Sequence, residues 1–573
     1  MSPTTGHPDG VEVADAVAAL EGWRLRPGVA VTPLREGLHL RGRRSAVTLE
    51  GSRALPALWQ LLAEALQSGD HTALIDHAPA GSPLRAALNT LIGHLRTHDL
   101  LVDAAATPAA PWLRATAPQP AAAAAALAGA RIRVQAADPA SPLARAALRA
   151  LHRAGSSPCQ VTESGAGVLL LALGASGRLQ AVAVRATREG GFVTAPGSPE
   201  QATADASALA ARLGWGTDEA RVPPALTALL AGAATQRLLC AVAGLPDPAT
   251  EGEDHRVLPG RPAVLLAQAG PLRAEYRSWF GSLALDPDRA APLPPPVTLA
   301  QALHRAGALG DDRLGVLAAA EPGELPQLPV ALVSCPAPAG VPPEGVLLAA
   351  GARTDLARLD ALCAAAELRL GGGAADRPPR VAVGATPEHA WGRALRAAVR
   401  SGTGAANRRP ASPWSEHPQA RHWWRTLGEL HLAKPWVAVS CLAPGVHRAV
   451  VRVAGQPVGR AVEATAGDAV ALAALGAVAR AVAGRPAAWS FPSGALAPLA
   501  AAGVEPASWE DEGSTTGWLA GLATREPALH LALRRLTGLH AVPLAPDVTD
   551  TSPLAAALHA CGFTVLAPAG GSR

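Results

Sequence analysis

The sequence predicts a multidomain α/β protein, and three observations support that fold class. The chain has 573 residues, enough for about three or four domains of ordinary size. Its composition, 49% hydrophobic and 17% charged, is typical of a globular protein with an ample core and not of a disordered chain. Segments of alternating apolar residues are followed by segments with apolar residues every three or four positions, so strands are expected to precede helices repeatedly.

Charge and cysteine usage exclude several classes of protein. A formal net charge of +4 is small for this length and favours neither a nucleic-acid partner nor a membrane partner. No stretch of 18 apolar residues lacks charges or proline, and no signal pattern opens the chain, so we expect a cytoplasmic protein. With no CxxC pair, buried free thiols are expected at all six cysteines: Cys159, Cys240, Cys335, Cys363, Cys441 and Cys561.

The first predicted domain, residues 1–104, is a three-stranded sheet followed by three helices. Alternating apolar residues predict the strands Val29–Thr32, Leu38–Arg41 and Ala46–Leu49. Helical periodicity predicts the helices Pro56–Leu66, Thr72–His77 and Pro83–His98. Ser82 stands at the N-cap position of the last helix, and Pro83 is in its first turn. A hairpin sheet followed by three helices is typical of a winged-helix-like unit.

The next two segments are a predicted linker and a predicted doubly wound domain. Residues 105–129 form a Pro/Ala-rich run that is not expected to build a core of its own. Residues 130–285 begin with the strand Arg131–Ala137 and the helix Leu143–Gly155, as a Rossmann-like βαβ unit does. The turn between them, residues 137–142, contains Asp138 and no glycine, whereas a nucleotide-binding turn needs glycines so that its backbone can approach the phosphates. We therefore expect no nucleotide cofactor here.

The last predicted domain, residues 296–573, is a larger α/β domain with a duplicated unit. The segments Gly345–Leu370 and Pro457–Gly484 each pass from an apolar strand through a polar turn into an Ala/Leu-rich helix. Thr354 and Thr465 stand near the two helix starts. Two similar strand–helix units suggest internal duplication.

Few side chains in the third domain suggest catalysis. The sequence contains no P-loop, HExxH or GxSxG motif. His417 and His422, with Glu416 beside the first, imitate a metal-binding pair, but five residues do not return to the same helix face, so a surface loop is favoured. Asp360 and Glu367, seven residues apart, share a helix face and could hold Mg²⁺, although a solvated face is the more common arrangement. No metal site is therefore predicted.

The N-terminal unit has two functional interpretations. A DNA reader would place the helix Pro83–His98, with Arg85, Asn89 and Arg96, in the major groove. A peptide binder would instead use the strand Ala46–Leu49 as an edge onto which an extended peptide adds as a further strand. The expected peptide-binding residues are two on the strand, four on the helix and two arginines in the turn: Val47, Leu49, Leu84, Leu88, Leu91, Leu95, Arg43 and Arg44.

These residues carry a resemblance to a known family. The stretch "LRPGVAVTPLREGLHLRGRRSAVTLEGS", with "LPALWQLLAEAL" and "LNTLIGHLRTHDLLVD" after it, resembles the leader-peptide-binding RiPP recognition element. The middle of the chain is similar to a ThiF-like adenylating fold, and the stretch "VLLAAGARTDLARLDALCAAAELR" is similar to a segment of YcaO-like cyclodehydratases. Together these stretches resemble the ThiF-like putative thiazole-containing bacteriocin maturation proteins. Neither the paired cysteines nor the nucleotide glycines of that family are present here.

The resemblance implies a function that the residues alone do not. It implies a scaffold that binds the leader of a precursor peptide, in the biosynthesis of a thiazole/oxazole-modified peptide, and presents the peptide to a separate YcaO-type cyclodehydratase, which forms the azoline rings. It leaves open whether two copies pair as a homodimer. Two alternatives stay open: an ATP-dependent cyclodehydratase that uses Asp360 and Glu367 near Mg²⁺, and a winged-helix transcription factor.

Overall fold

A computed structural model describes the chain from residue 15 to residue 568. Residues 44, 104–109, 163–166, 176, 216–220, 253, 282, 286, 338–344, 372–380, 402–413, 431–433, 486, 504–513 and 545–551 lie outside the described ranges. The chain divides into two compact units. The first comprises residues 1–202 and 219–251, and the second comprises residues 203–218 and 252–573. The domain boundaries near residues 104, 129 and 285 stay predictions.

The first unit contains ten described strands and seven described α-helices. The strands are β1 (Trp23–Leu25), β2 (Ala30–Leu34), β3 (Gly37–Arg41), β4 (Ala46–Glu50), β5 (Leu101–Asp103), β6 (Arg131–Ala136), β7 (Cys159–Thr162), β8 (Val168–Leu173), β9 (Leu179–Ala186) and β10 (Gly190–Val193). The helices are α1 (Leu55–Ser68), α2 (Thr72–His77), α3 (Pro83–Thr97), α4 (Pro111–Thr116), α5 (Pro120–Ala128), α6 (Pro142–Arg153) and α8 (Pro224–Val242). Helix α7 (Pro199–Leu213) lies between α6 and α8 in the chain and is not counted here, because most of its residues belong to the second unit.

The N-terminal strands and helices form where the sequence predicts them. β2, β3 and β4 make an antiparallel sheet in that order, and α1, α2 and α3 follow it. The Ser82 side chain accepts a hydrogen bond from the Arg85 N–H, so the predicted N-cap of α3 is confirmed. β1 and β5 pair as a separate two-stranded sheet. The core beneath the three-stranded sheet includes Leu38 and Leu40 from β3, both fully buried.

The middle of the chain is not the doubly wound sheet that the sequence predicts. The strands of this unit are ordered β10-β9-β8-β6-β7, and only β6 and β7 are parallel. The other three adjacent pairs are antiparallel. A doubly wound sheet needs a crossover helix between successive parallel strands. Here α6 is such a crossover, but β8, β9 and β10 follow one another through short turns, which can join only antiparallel neighbours.

The predicted linker, residues 105–129, is helical over much of its described part. α4 and α5 lie within it, and each begins with a proline in its first turn. Leu113, Ala117 and Ala123 are buried together, with Ala243 and Leu245 packed against them. The segment therefore shares a small apolar cluster with the residues that follow α8, and its role as a linker between domains stays a prediction.

The second unit contains eleven described strands and nine described α-helices besides α7. Its strands are β11 (Ala263–Ala269), β12 (Leu272–Ser278), β13 (Ala331–Pro336), β14 (Val346–Gly351), β15 (Ala382–Gly384), β16 (Trp436–Ala443), β17 (Val446–Val453), β18 (Gln456–Glu463), β19 (Ala488–Ser490), β20 (Ala541–Pro543) and β21 (Thr564–Pro568). Its helices are α9 (Pro287–Ala290), α10 (Leu299–Leu309), α11 (Thr354–Gly371), α12 (Pro387–Ser401), α13 (Pro418–Leu430), α14 (Ala466–Ala483), α15 (Ala497–Ala501), α16 (Ser514–Thr537) and α17 (Pro553–Ala560).

Three small sheets surround one large core in the second unit. Their strand orders are β13-β14-β19, β15-β21-β20 and β16-β17-β18, and β11 and β12 form an antiparallel hairpin. Helix α14 supplies much of this core, because its Ala, Leu and Val residues are buried on all sides from Ala466 to Ala479. The predicted strand–helix repeats correspond to β14–α11 and β18–α14. Thr354 begins α11, and the Thr465 side chain caps α14 by accepting from the Asp468 N–H.

Two described helices, α8 and α14, are long and apolar enough to cross a membrane by length and composition. Within the most apolar window, 56% of the α8 residues and 78% of the α14 residues are buried inside the protein. Burial of that extent is what a core helix shows. The sequence criterion that excluded every such stretch was too strict, because it counted single charges and prolines as interruptions.

Candidate functional site

The outer edge of β4 carries the first candidate site. Among the described strands, β4 pairs only with β3. The hairpin bond from the Gly42 N–H to the Ser45 carbonyl fixes which residues of β4 bond to β3, since bonded and non-bonded pairs alternate in an antiparallel ladder. By this alternation Val47 and Leu49 bond to β3, whereas Ala46, Thr48 and Glu50 direct their N–H and C=O groups outward. A further strand can add to these outward groups.

The opposite edge of the same sheet is blocked. β2 pairs with β3 in a register that joins Pro33 to Leu38 and Val31 to Leu40. The same alternation turns the backbone of Val31 and Pro33 away from β3. Pro33 has no N–H, so this edge lacks a donor that a continuous added strand needs, a common way of protecting a sheet edge. The two edges of one small sheet therefore differ in their capacity to accept a peptide.

The predicted peptide-binding leucines divide into two groups. Leu88, Leu91 and Leu95 are 0%, 2% and 0% exposed and belong to the core under the sheet, so the prediction that they contact peptide is wrong. These leucines face inward because the apolar face of α3 packs against the other strands and helices of the N-terminal unit. Val47, Leu49 and Leu84 lie against the margin of that core and are only partly buried. These three remain available to a bound peptide.

The turn before β4 contributes one arginine whose contacts are visible. Arg43 pairs with Glu251 at 2.5 Å, and both side chains are more than a third exposed. Such a pair contributes little to stability, and an acidic peptide can compete for Arg43. Arg44, the other predicted arginine, lies outside the described residues.

The polar residues of α3 are already engaged within the protein. Arg85 is 6% exposed, binds both carboxylate oxygens of Asp15 at 2.8 Å and donates to the Ala78 carbonyl. The Asn89 side-chain oxygen accepts from the Val17 N–H at 2.9 Å. Arg96 donates to the Ala19 carbonyl and lies over a tryptophan ring. All three candidate base-reading side chains therefore hold the N-terminal segment, so the residues predicted to read DNA are engaged within the protein.

Asp360 and Glu367, the predicted alternative Mg²⁺ ligands, flank a buried arginine. Two nitrogens of Arg393 bind the two oxygens of Glu367 at 2.8 Å each, and a third nitrogen binds Asp360. The Val383 N–H at 3.0 Å and the Ser490 hydroxyl supply further donors to the two carboxylates. Burial opposes the charge on Arg393, but the two carboxylates outweigh it and hold its pKa well above its ordinary value. The prediction that Asp360 and Glu367 lie on a solvated helix face is wrong, because both side chains are largely buried against Arg393.

A second buried arginine joins two further carboxylates in the same unit. Arg396, one helical turn after Arg393 on α12, binds Glu463 and Glu526 at 2.7 and 2.6 Å. His530 approaches Glu526 at 2.9 Å. Burial would raise the pKa of Glu526, but Arg396 and His530 hold it below its ordinary value. Both carboxylates are nearly inaccessible, with 1% and 4% of their side chains exposed.

A third cluster centres on Asp468 in the first turn of α14. Arg525 binds it at 2.9 Å, the Trp518 indole N–H donates at 3.0 Å, and the Thr465 hydroxyl donates at 2.6 Å. Burial opposes ionisation of Asp468, but these groups and His417 lower its pKa. His417 lies 3.4 Å from Asp468 through Nε2 and accepts from the Ala420 N–H through Nδ1. It therefore caps α13 instead of belonging to a surface loop.

These clusters do not fit a metal or a nucleotide. Each carboxylate has an arginine where a cation would bind, and no group of three or more His, Cys, Asp or Glu within the described ranges could hold a metal ion. The turn before α6 is also closed, since Asp138 accepts from the Ala140 N–H and Ser141 from the Ala144 N–H. Those backbone donors are therefore occupied, and a phosphate at this helix end would meet a carboxylate.

Sequence reasoning missed Arg393 and Arg396. Both lie on α12, "PEHAWGRALRAAVRS", on the helix side that also carries the buried His389. Arginines at inward positions of an amphipathic helix were a detectable signal, because a buried arginine needs a carboxylate partner. Their partners come from α11, β18 and α16, and no sequence spacing indicates those.

The comparisons with known proteins concern the fold. No protein-family profile matches this sequence, and no curated protein matches it. Six chains among solved structures match. One of them is described as a heterocyclase in complex with substrate and cofactor; it is 13% identical, with a TM-score of 0.50, and the match covers 95% of this chain and 94% of that chain. The chain is similar in fold to a heterocyclase. The similarity extends over both units.

Proposed function

We propose that this chain binds the leader of a ribosomal precursor peptide and presents the peptide for azoline formation. The observation that carries the proposal is the single unblocked edge, β4, in a small sheet whose other edge contains Pro33. The fold similarity to a heterocyclase that was solved with its substrate supports the same general role.

The parts of the chain have distinct proposed roles. The N-terminal unit acts as a winged-helix-like leader-binding element, the middle as a structural support, and the last region as a degenerate YcaO-like domain. The system is a thiazole/oxazole-modified peptide pathway of the bacteriocin type in the cytoplasm. The ring-forming step is carried out by a separate YcaO-type cyclodehydratase.

The edge would act by forming main-chain hydrogen bonds with an extended leader. Ala46, Thr48 and Glu50 offer the outward backbone groups, while Val47 and Leu49 on the same strand, and Leu84 on α3, are partly buried apolar side chains at the margin of the core. Backbone bonds give affinity without strong sequence demands, and the apolar contacts select the leader. Capture of the leader raises the effective concentration of the attached Cys, Ser and Thr residues at the partner enzyme.

Buried ion pairs argue against the catalytic alternative. An ATP-dependent cyclodehydratase would need carboxylates free to hold Mg²⁺, but Asp360 and Glu367 both bind Arg393. Displacing Arg393 would leave its charge buried without a partner, at a cost of several kcal/mol, on the order of 3 to 5. A scaffold without its own nucleotide chemistry therefore accounts better for these residues.

The test is a leader titration with a substitution at the edge. Thr48→Pro removes one outward N–H and leaves the bonds of Val47 and Leu49 to β3 intact. We expect the wild-type protein to bind the leader of a short Cys/Ser/Thr-rich precursor encoded beside it with micromolar or tighter affinity. Thr48→Pro should weaken that affinity at least about tenfold, measured by calorimetry.

Thr48→Val is the matched control. It removes the hydroxyl that contacts His39 but keeps the backbone N–H and a β-branched side chain, so it should bind the leader as the wild type does. Circular dichroism and melting establish that each variant is folded. Equal affinity of folded Thr48→Pro and Thr48→Val, or no leader binding by the folded wild type, would refute the proposal.

A further inference from the structure

A cleft in the first unit lies apart from the sheet edge. Helices α4, α6 and α8 enclose about 370 Å³ of open space. Most of the lining is apolar and small, and includes Ala146, Ala150, Ala228 and Leu239. The volume lies in the range of small-molecule sites, which are usually apolar with a few polar groups that orient the ligand.

Two polar groups at this cleft have no partner. Thr235 on α8 is 4% exposed, and its hydroxyl has no hydrogen-bond partner among the described residues. The buried indole N–H of Trp112 on α4 also lacks one within those ranges. Both residues line the cleft. Buried groups of this kind are nearly always satisfied in folded proteins, but these two atoms have almost no accessible surface, so a ligand in the cleft reaches them only after a side-chain rotation.

The cleft also carries unpaired positive charge. Arg149 and Arg153 lie one turn apart on α6, line the cleft and are exposed. Neither makes an ion pair with a described residue. The four helices α4, α5, α6 and α8 contain no Asp or Glu at all. An anion that reaches this cleft therefore meets two guanidinium groups and no repelling carboxylate in its lining.

We propose that this cleft binds a small amphiphilic carboxylate. The apolar lining takes a hydrocarbon body of about ten carbons. The carboxylate binds Arg149 and Arg153, since guanidinium forms strong charge-assisted bonds with it. A neutral ligand of the same size would leave both arginines unused, and a cationic one would be repelled. The proposal is independent of leader binding.

Calorimetric titration of the full chain with three ten-carbon probes tests the charge requirement. The probes are decanoate, decan-1-ol and decyltrimethylammonium, each below the concentration at which it forms micelles. Decanoate should bind one site, at least about tenfold more tightly than decan-1-ol, and decyltrimethylammonium should bind most weakly. Equal binding of the three probes, or no saturable binding of decanoate, overturns the proposal.

Gly232→Leu tests the location. A side chain at Gly232, in the middle of α8, meets nothing within 4 Å and extends into the cleft. Leucine also favours the helix more than glycine does, so the variant should fold. Gly428→Leu is the matched control, because Gly428 lies inside α13, does not line this cleft, and also has open space where a Cβ atom would stand.

Gly232→Leu should weaken decanoate binding at least about tenfold, while Gly428→Leu binds as the wild type. The double variant Arg149→Gln, Arg153→Gln should lose the preference for decanoate over decan-1-ol but keep its affinity for decan-1-ol. If folded Gly232→Leu binds decanoate as tightly as Gly428→Leu, the ligand is elsewhere and the assignment is wrong. If the double variant keeps the preference, the arginines do not bind the carboxylate.

Discussion

Removing the buried cation between Asp360 and Glu367 should destabilise the second unit strongly. Arg393→Met keeps a side chain of comparable length but leaves two carboxylates facing each other without their shared partner. Arg393, Asp360 and Glu367 have only 10%, 12% and 9% of their side chains exposed, so water cannot replace the lost contacts. The Val383 N–H and the Ser490 hydroxyl remain as donors, one to each carboxylate.

The expected magnitude follows from that geometry. Breaking a buried ion pair by removing one partner costs about 3–5 kcal/mol in the free energy of unfolding, because the remaining charge is buried uncompensated. A buried carboxyl without a counterion favours its neutral form. Protonation at acid pH therefore relieves the cost, and the deficit of the variant should grow as the pH rises from 5 to 8.

Differential scanning calorimetry of the wild type and the variant at pH 5 and pH 8 measures this deficit. For a unit of about 340 residues, 3–5 kcal/mol corresponds to a fall of about 4–7 °C in melting temperature at pH 8. The triple variant Arg393→Met, Asp360→Asn, Glu367→Gln carries no buried charge here and should recover much of that fall. Partial recovery is expected because the amides still need hydrogen-bond partners.

An exposed arginine supplies the control for this prediction. Arg358 lies on the same helix as both carboxylates but is exposed, so Arg358→Met should change stability by no more than about 0.5 kcal/mol. The reasoning fails if Arg393→Met and Arg358→Met melt at the same temperature at pH 8. It also fails if the loss of stability in Arg393→Met, relative to the wild type, is the same at pH 5 as at pH 8.

Two further predictions follow from other buried groups. The pKa of Asp468 is lowered from its ordinary value of 3.8, so its stabilising contribution is present at neutral pH and lost as pH falls through the lowered value. Asp468→Asn should therefore lower the melting temperature at pH 7 and approach the wild type as the pH falls well below 3.8; a constant difference would contradict this. Native thiol titration should modify exposed Cys159 rapidly and half-buried Cys441 more slowly. Four buried thiols should react only after denaturation: Cys240, Cys335, Cys363 and Cys561. Burial raises the pKa of all four, to about 11 for Cys240 and Cys335 and to about 12 for Cys561. Loss of the fast phase in Cys159→Ser checks the assignment.

Local signals predicted the N-terminal elements well. The helix Thr72–His77 has the predicted bounds, and the other five predicted strands and helices of residues 1–104 agree within one or two residues, whereas β1 and β5 were not predicted. The cap at Ser82 also formed as predicted. These features depend on residues close in sequence, such as alternating apolar positions and a cap next to a proline. Periodicity contains that information.

Strand pairing was not predictable in the same way. An apolar strand, a helix and another strand follow from the sequence after Ala130, but whether β8 joins parallel or antiparallel depends on contacts far apart in the chain. Its antiparallel register, Arg131 opposite Leu173 for example, follows no local rule. The burial of Leu88 has the same origin. An apolar stripe shows which helix face is apolar, and only the packed unit shows how much of it the core uses.

The distribution of charge separates the two candidate sites in a way that composition could not. In the second unit each of three arginines, Arg393, Arg396 and Arg525, binds one or two carboxylates, and the side chains of Arg393 and Arg396 are only 10% and 2% exposed. Matched buried pairs hold parts of a fold together but cannot exchange partners with a metal or a phosphate without a large penalty. In the N-terminal sheet, by contrast, the backbone groups of β4 remain unpaired at no such cost, because water satisfies them until a strand arrives. Chemistry that requires the carboxylates of these three clusters to be free is thus disfavoured, while recognition by backbone pairing at β4 is not, and Thr48→Pro acts on the latter alone.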